Sequence, residues 1–181
     1  TVNFLIKDNS TGCISDPQTL TFIQGVNSAL LVTVTDYELC DTDFDGKTAF
    51  NLDSKKSVFT NDTTAIFEYF KDATLTQSIP SNYTNETAFA QTVFVRITLS
   101  GFCPSTAKIN LKVNIPTKSS TLIDKYFICY GETLMIDAGS ENTIFDWSDG
   151  QNQQVASFTK PGTYSVTLQN GITGCPYTHN F

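Results

Sequence analysis

The residues best suited to chemistry sit together in one short run, Asp41-Thr42-Asp43-Phe44-Asp45-Gly46. Acids at the first, third and fifth positions and glycine at the sixth are how a calcium loop wraps hard oxygen ligands around a sharp turn. Lys47 would add its backbone carbonyl at the seventh position. The pattern then departs: Leu52 stands where an EF-hand carries a bidentate glutamate, and Asp53, one residue on, is the nearest carboxylate that could substitute. No flanking helices are expected. The expected shell is therefore Asp41, Asp43, Asp45, the Lys47 carbonyl and Asp53, around one structural Ca2+. The competing reading is a solvated acidic loop closed by Asx turns. Three acids this close repel unless a cation offsets them. The interval from Cys40 to Ile66 is about ten residues longer than that from Cys129 to Ile144, close to the roughly 12 residues of a calcium loop.

Five cysteines are the second reactive set. No Cys-x-x-Cys pair occurs, and a single histidine, His179, cannot complete a zinc site with scattered thiols. Widely spaced cysteines in a Thr-, Ser- and Asn-rich chain read as disulfides formed in an oxidising, extracellular setting. His179 has no serine or cysteine in a nucleophile-elbow context, so triad chemistry has no support, and nothing marks a general acid. The reading is non-enzymatic. Trp147 could stack a sugar but is expected in the core. Tyr126, Phe127 and Tyr130 around Cys129, with Phe70 and Phe94, are the aromatics least easily placed inward, so the ligand-binding residues stay unknown.

These residues need elements to position them. Ile66-Phe67-Glu68-Tyr69-Phe70 and Ile144-Phe145-Asp146-Trp147-Ser148 share one pattern, and alternation puts Phe67 with Tyr69, and Phe145 with Trp147, on one face. Each run lies between two cysteines. An aromatic strand between paired cysteines is how an immunoglobulin-like sandwich builds its centre. The expected bonds are thus Cys40–Cys103 and Cys129–Cys175, with Trp147 packed on the second and Cys13 unpaired. The expected fold is all-β, a tandem, elongated array of immunoglobulin-like sandwiches.

An internal repeat supports the array. Val2, Phe4 and Ile6 alternate, a turn and Cys13 follow, then Leu20 and Phe22. Val93 to Leu99, Gly101-Phe102-Cys103 and Ile109 to Ile115 repeat the pattern, and so do Tyr164 to Leu168, Gly174-Cys175 and the run to Phe181. The expected divisions are the end of a preceding module over 1–25, a module with the acidic loop over 26–116, and a last module over 117–181. Linkers fall at 25–28 and 114–120. Opening strands are expected over Ala29 to Thr35 and from Leu122 towards Cys129, a strand beginning at Leu39-Cys40, and a helical turn over Ser54 to Phe59.

The bulk numbers exclude several classes. A net charge of −7 argues against nucleic-acid binding, which needs clustered Lys and Arg. No apolar run approaches the roughly 20 residues of a membrane span, so membrane insertion is not expected. No leader pattern begins the chain, which is expected to be mature or excised from something longer.

Leu39-Cys40-Asp41, Asn51-Leu52, Phe67-x-Tyr69-Phe70, Ile79-Pro80, Tyr83-Thr84-Asn85, Gln91 to Arg96 and Cys103 resemble the Ig-like repeats of large surface proteins from gliding and related Bacteroidota. Ile128 to Glu132, Trp147-Ser148-Asp149-Gly150, Gly162 to Val166 and Gly174-Cys175 resemble their PKD-like repeat. The resemblance implies a stalk or spacer segment of a secreted, cell-surface adhesin of the gliding-motility type. It implies partners in neighbouring modules, the type IX secretion machinery and surface glycans. The other reading is a carbohydrate-binding module of a secreted glycan-degrading enzyme. Asn-x-Ser/Thr triplets at Asn9, Asn61, Asn82 and Asn85, and Asp62-Thr63-Thr64, are short glycosylation patterns of little weight.

Overall fold

The computed structural model describes residues 1–21, 25–26, 29–172 and 174–181. Phe22, expected in the second strand, and Asn27 and Ser28 of the first linker lie outside the described residues. Nearly all regular structure is β. A first hairpin pairs β1 (Val2–Phe4) with β2 (Gln18–Leu20). All six of its residues are exposed.

The middle module packs two sheets face to face. The larger has the order β3-β9-β8-β5-β6, where β3 is Val34–Cys40, β5 Ile66–Phe70, β6 Ser78–Ile79, β8 Ala90–Thr98 and β9 Ser105–Asn114. The smaller pairs β4 (Ala49–Asn51) with β7 (Asn82–Thr84). Strict alternation along β8 and β9 explains the layering: Val93, Val95 and Ile97 face inward with Ala107, Ile109 and Leu111. They meet Phe50 and Tyr83 from the smaller sheet, and Leu52 and Phe59 from the turn between β4 and β5. That turn is a 3-10 segment (Leu52–Lys55) running into one helical turn, α1 (Lys56–Phe59). Phe67 and Tyr69 share the inward face, as the alternation requires.

One pairing breaks the antiparallel rule. β3 runs parallel to β9, with Tyr37 beside Leu111 and Cys40 beside Asn114. The opening strand therefore covers 34–40, not 29–35, and Leu39-Cys40 ends a strand instead of starting one.

The last module repeats the plan on a smaller scale. β10 (Leu134–Asp137) pairs with β12 (Val155–Phe158), and β11 (Ile144–Trp147), β13 (Ser165–Gln169) and β14 (Pro176–Asn180) form the facing sheet. Trp147, 1% exposed, fills the centre against Phe158 and Phe181. Its indole N–H donates to the Gln153 carbonyl at 2.8 Å, so the one polar atom of the ring is satisfied. The expected packing of Trp147 on a disulfide is replaced by these rings. The stretch from Leu122 to Cys129 forms no strand, although it lies alongside β14: the His179 imidazole contacts the Ile123 carbonyl at 3.2 Å, and Tyr126 meets Phe181 edge-on.

Candidate functional site at the module junction

The disulfide is Cys40–Cys175, with Cα atoms 5.6 Å apart. It joins the end of β3 in the middle module to the β13–β14 turn of the last. This corrects both expected bonds. Cys103 lies at the start of β9 and Cys40 beside its far end, and nine steps of about 3.3 Å put those ends roughly 30 Å apart. A disulfide needs Cα atoms within about 7 Å. With Cys175 engaged, Cys129 is free and exposed; Cys13 and Cys103 are free as well. An immunoglobulin disulfide crosses the core between strands, whereas these cysteines sit at strand ends and turns. Aliphatic and aromatic side chains fill the core instead.

The acidic loop lies at the same junction. It leaves β3 at Cys40 and raises Phe44 to meet Tyr177 of β14, centroids 6.1 Å apart and edge-on. Lys118 Nζ, from the linker, sits 3.9 Å from the Phe44 ring centre and 5.7 Å from that of Tyr177. Such cation–π contacts are worth about 0.5–1 kcal/mol at exposed sites. The linker is held from both sides. The Asp41 amide donates to the Asn114 carbonyl at 2.9 Å, and Asn142 Nδ2 of the last module donates to the Thr117 carbonyl at 3.0 Å. Cys175 Sγ rests 3.4 Å from the Asn114 carbonyl oxygen; a bonded sulfur has no proton to give, so this is a packing contact.

Asp41 builds the loop. Its side chain is buried, 3% exposed, and accepts from three backbone amides: Asp43 at 3.0 Å and Phe44 at 3.2 Å on Oδ1, and Gly46 at 2.7 Å on Oδ2. These bonds hold Phe44 at φ 68°, a left-handed conformation that costs a bulky residue about 1–2 kcal/mol. Gly46 (φ 77°) is needed for space too, because a Cβ there would approach Ala88 Cβ at 2.9 Å. Asn85, 1% exposed, clamps the loop from the β7–β8 connection. Its Nδ2 donates to the Gly46 and Thr87 carbonyls, and its Oδ1 accepts from the Thr48 amide. That side chain is committed to the fold, so Asn85 is no glycan acceptor in the folded module.

Carboxylate oxygens of Asp41, Asp43 and Asp45 lie within 4.8 Å of one another. A hydrogen bond between Asp43 and Asp41 holds the Asp41 carboxyl below the usual range and pushes that of Asp43 above it. The two carboxyls are therefore pushed apart in their titration, the usual consequence of like charges in contact. This donor set is oxygen-only and fits a hard cation. Lys47 contributes its amide to Asp45 Oδ1 at 2.7 Å. Asp53 is not in the group: it sits in the 3-10 turn, accepting from the Tyr69 hydroxyl at 2.9 Å and pairing with Lys56 at 3.0 Å.

The other aromatics divide. Phe70, on the outer face of β5, is covered by the Arg96 guanidinium 5.0 Å from its ring centre, and Phe94 lies under Lys108. Phe127 and Tyr130 stand free, 93% and 107% exposed. Asn85, Asn114, Lys118 and Tyr177 were missed in the sequence. Asn85 is read from the sequence as part of a repeat motif and as a glycosylation triplet, not as a buried clamp, and the other three carry no local signal.

Residues 36–117 match a family model described as the Flavobacterium inter-domain disulphide bond domain, somewhat under half the chain. No curated protein matches. Among solved structures, the N-terminal four Ig domains of Dscam1 isoform 1.9 match at 12% identity and TM-score 0.32, over 97% of this chain and 52% of that one. The N-terminal eight Ig domains of Down Syndrome Cell Adhesion Molecule isoform 1.30.30 match at 12% identity and TM-score 0.30, over 98% and 26%. The chain spans about half the length of the first of these. At such TM-scores the fold reading stands on the strand pairing of the chain itself.

Proposed function

We propose that the chain is a stalk or spacer segment of a secreted, cell-surface adhesin of the gliding-motility type, in which successive Ig-like and PKD-like modules are locked end to end. The observation that supports this most is the Cys40–Cys175 bond, which lies between two modules that each have a complete core. Such a bond is not needed to close either core. It fixes how one module sits on the next, and it shares that task with the Phe44–Lys118–Tyr177 contact. Export by type IX machinery and contact with surface glycans by distal parts of the parent protein belong to the same proposal. Antibodies to this chain should label unpermeabilised cells of the producing bacterium, and a glycan array probed with the chain should stay blank. A specific sugar ligand would replace this reading with that of a carbohydrate-binding module.

Calcium enters as part of the proposal. Asp41, Asp43 and Asp45 would hold it with the Lys47 carbonyl, and the ion would relieve the crowding that raises Asp43 and stiffen the loop beneath Phe44. A ligand that binds only the folded state raises the melting temperature. Equal melting curves in calcium and in chelator would remove the ion from the account.

A further inference from the structure

Three turns share one design. Gly12-Cys13, Gly101-Phe102-Cys103 and Gly174-Cys175 each follow an antiparallel strand, with the glycines at φ 73°, 82° and 66°. Only Cys175 is bonded. Its seat is the exit end of the preceding module: Sγ lies against the carbonyl of Asn114, the β9 residue beside Cys40.

Cys103 occupies the equivalent seat one module earlier. Asn114 lies eleven residues beyond its own module's turn cysteine, Cys103, and the same count from Cys13 arrives next to Gly25. There the Cys103 amide donates to the Val26 carbonyl at 3.0 Å, and its Sγ packs so closely on Gly25 that no Cβ would fit. Turn cysteine against exit chain therefore occurs twice, at Cys175 on Asn114 and at Cys103 on Gly25.

Cys129 supplies the opposite half. Tyr37 precedes Cys40 by three residues, and Tyr126 precedes Cys129 by three. Tyr37 lies in the strand that runs beside β9, and Tyr126 lies in the segment beside β14. Cys129 thus stands at the exit end of the last module, as Cys40 does in the middle one, with Phe127 and Tyr130 exposed around it.

We infer that Cys40–Cys175 is one rung of a repeating ladder. Cys103 bonds the opening-strand cysteine of a module encoded before Thr1, and Cys129 bonds the turn cysteine of a module encoded after Phe181. This rests on the spacer reading and extends it to the neighbours. Each rung forms as two thiols lose two protons and two electrons to a disulfide oxidant, which leaves as its dithiol. The following module would also cover Phe127 and Tyr130, as Tyr177 covers Phe44.

The test is non-reducing peptide mapping of the full-length parent protein, alkylated before digestion. The expected result is Cys103 linked to a cysteine upstream of Cys13, and Cys129 linked to a cysteine downstream of Phe181. Alkylated Cys103 and Cys129, or a link between them or to Cys13, would overturn the ladder. If Cys40–Cys175 is present in that case, the spacer reading survives without the ladder. If Cys40–Cys175 is itself missing, the spacer reading fails first.

Discussion

The exit ends of the two modules began as the same design and finish differently. In the middle module, Cys40 ends a strand seven residues long, paired residue for residue with β9. Its loop is stapled by Asp41, clamped by Asn85 and covered by Tyr177. In the last module, Cys129 lies in a segment that forms no strand, between aromatics in full contact with solvent. The cores differ less than the ends. Among the described residues, the middle core has twelve buried members and the last has seven, with Trp147 supplying much of the volume. Order at an exit end comes from what packs on it, since each core is complete without it.

Replacing the largest core side chain should separate core from junction most clearly. Trp147→Ala should cost about 3–5 kcal/mol, unfolding the last module first, because a cavity opens that the six other buried residues of that core cannot refill. Calorimetry should show the middle module's transition remaining; loss of both together would mean that the cores are not independent. Cys175→Ser should leave both folds intact while removing a link worth up to about 5 kcal/mol for a loop this long in the chain-entropy model. The expected readout is wider relative motion of the modules in small-angle scattering, with an unchanged circular dichroism spectrum. An unfolded last module would show that the bond serves a core.

Gly46→Ala should destabilise the middle module by about 1–3 kcal/mol, from left-handed strain and overpacking. The melting temperature of that module reads it, and an unchanged value would free the loop from the role assigned to Asp41. Acid tests the same loop. Asp41 is held low, so its contribution is fully present above its unfolded value, near 3.8, and fades as pH falls through the folded value. Asp43 is held high and has the opposite sign: its contribution is present below 3.8 and lost as pH rises through its folded value. Asp43→Asn should therefore leave neutral-pH stability unchanged or slightly raised without calcium, and should abolish any gain from calcium. A large loss without the ion would contradict the upward shift assigned to Asp43. The smallest loss of contact is expected from Phe44→Ala, about 0.5–1.5 kcal/mol between the modules, visible as a modest increase in flexibility only once Cys175 has been replaced.

Much of the fold is legible in the sequence because period-2 alternation is local. Phe67 with Tyr69, Phe145 with Trp147, and the strand–Gly–Cys–strand hairpins follow from it directly. The β3–β9 pairing does not, since a parallel partner some 74 residues away leaves no local trace. Reading Cys40 as the start of a strand placed it mid-sandwich and so paired it within its own module. The acidic loop is legible as a donor set, but its position is not. Phe44 reads as a lone apolar residue until Lys118 and Tyr177, far along the chain, arrive around it. Asn85 reads as a surface triplet because burial, not residue type, gives it its role.

The covalent link, Cys40–Cys175, runs between modules. Non-reducing peptide mapping of this chain, oxidised and alkylated at acidic pH, tests it most directly. The account predicts one linked pair, Cys40 with Cys175, and three alkylated cysteines, Cys13, Cys103 and Cys129. Peptides joining Cys40 to Cys103 and Cys129 to Cys175 would contradict it and restore a bond inside each sandwich.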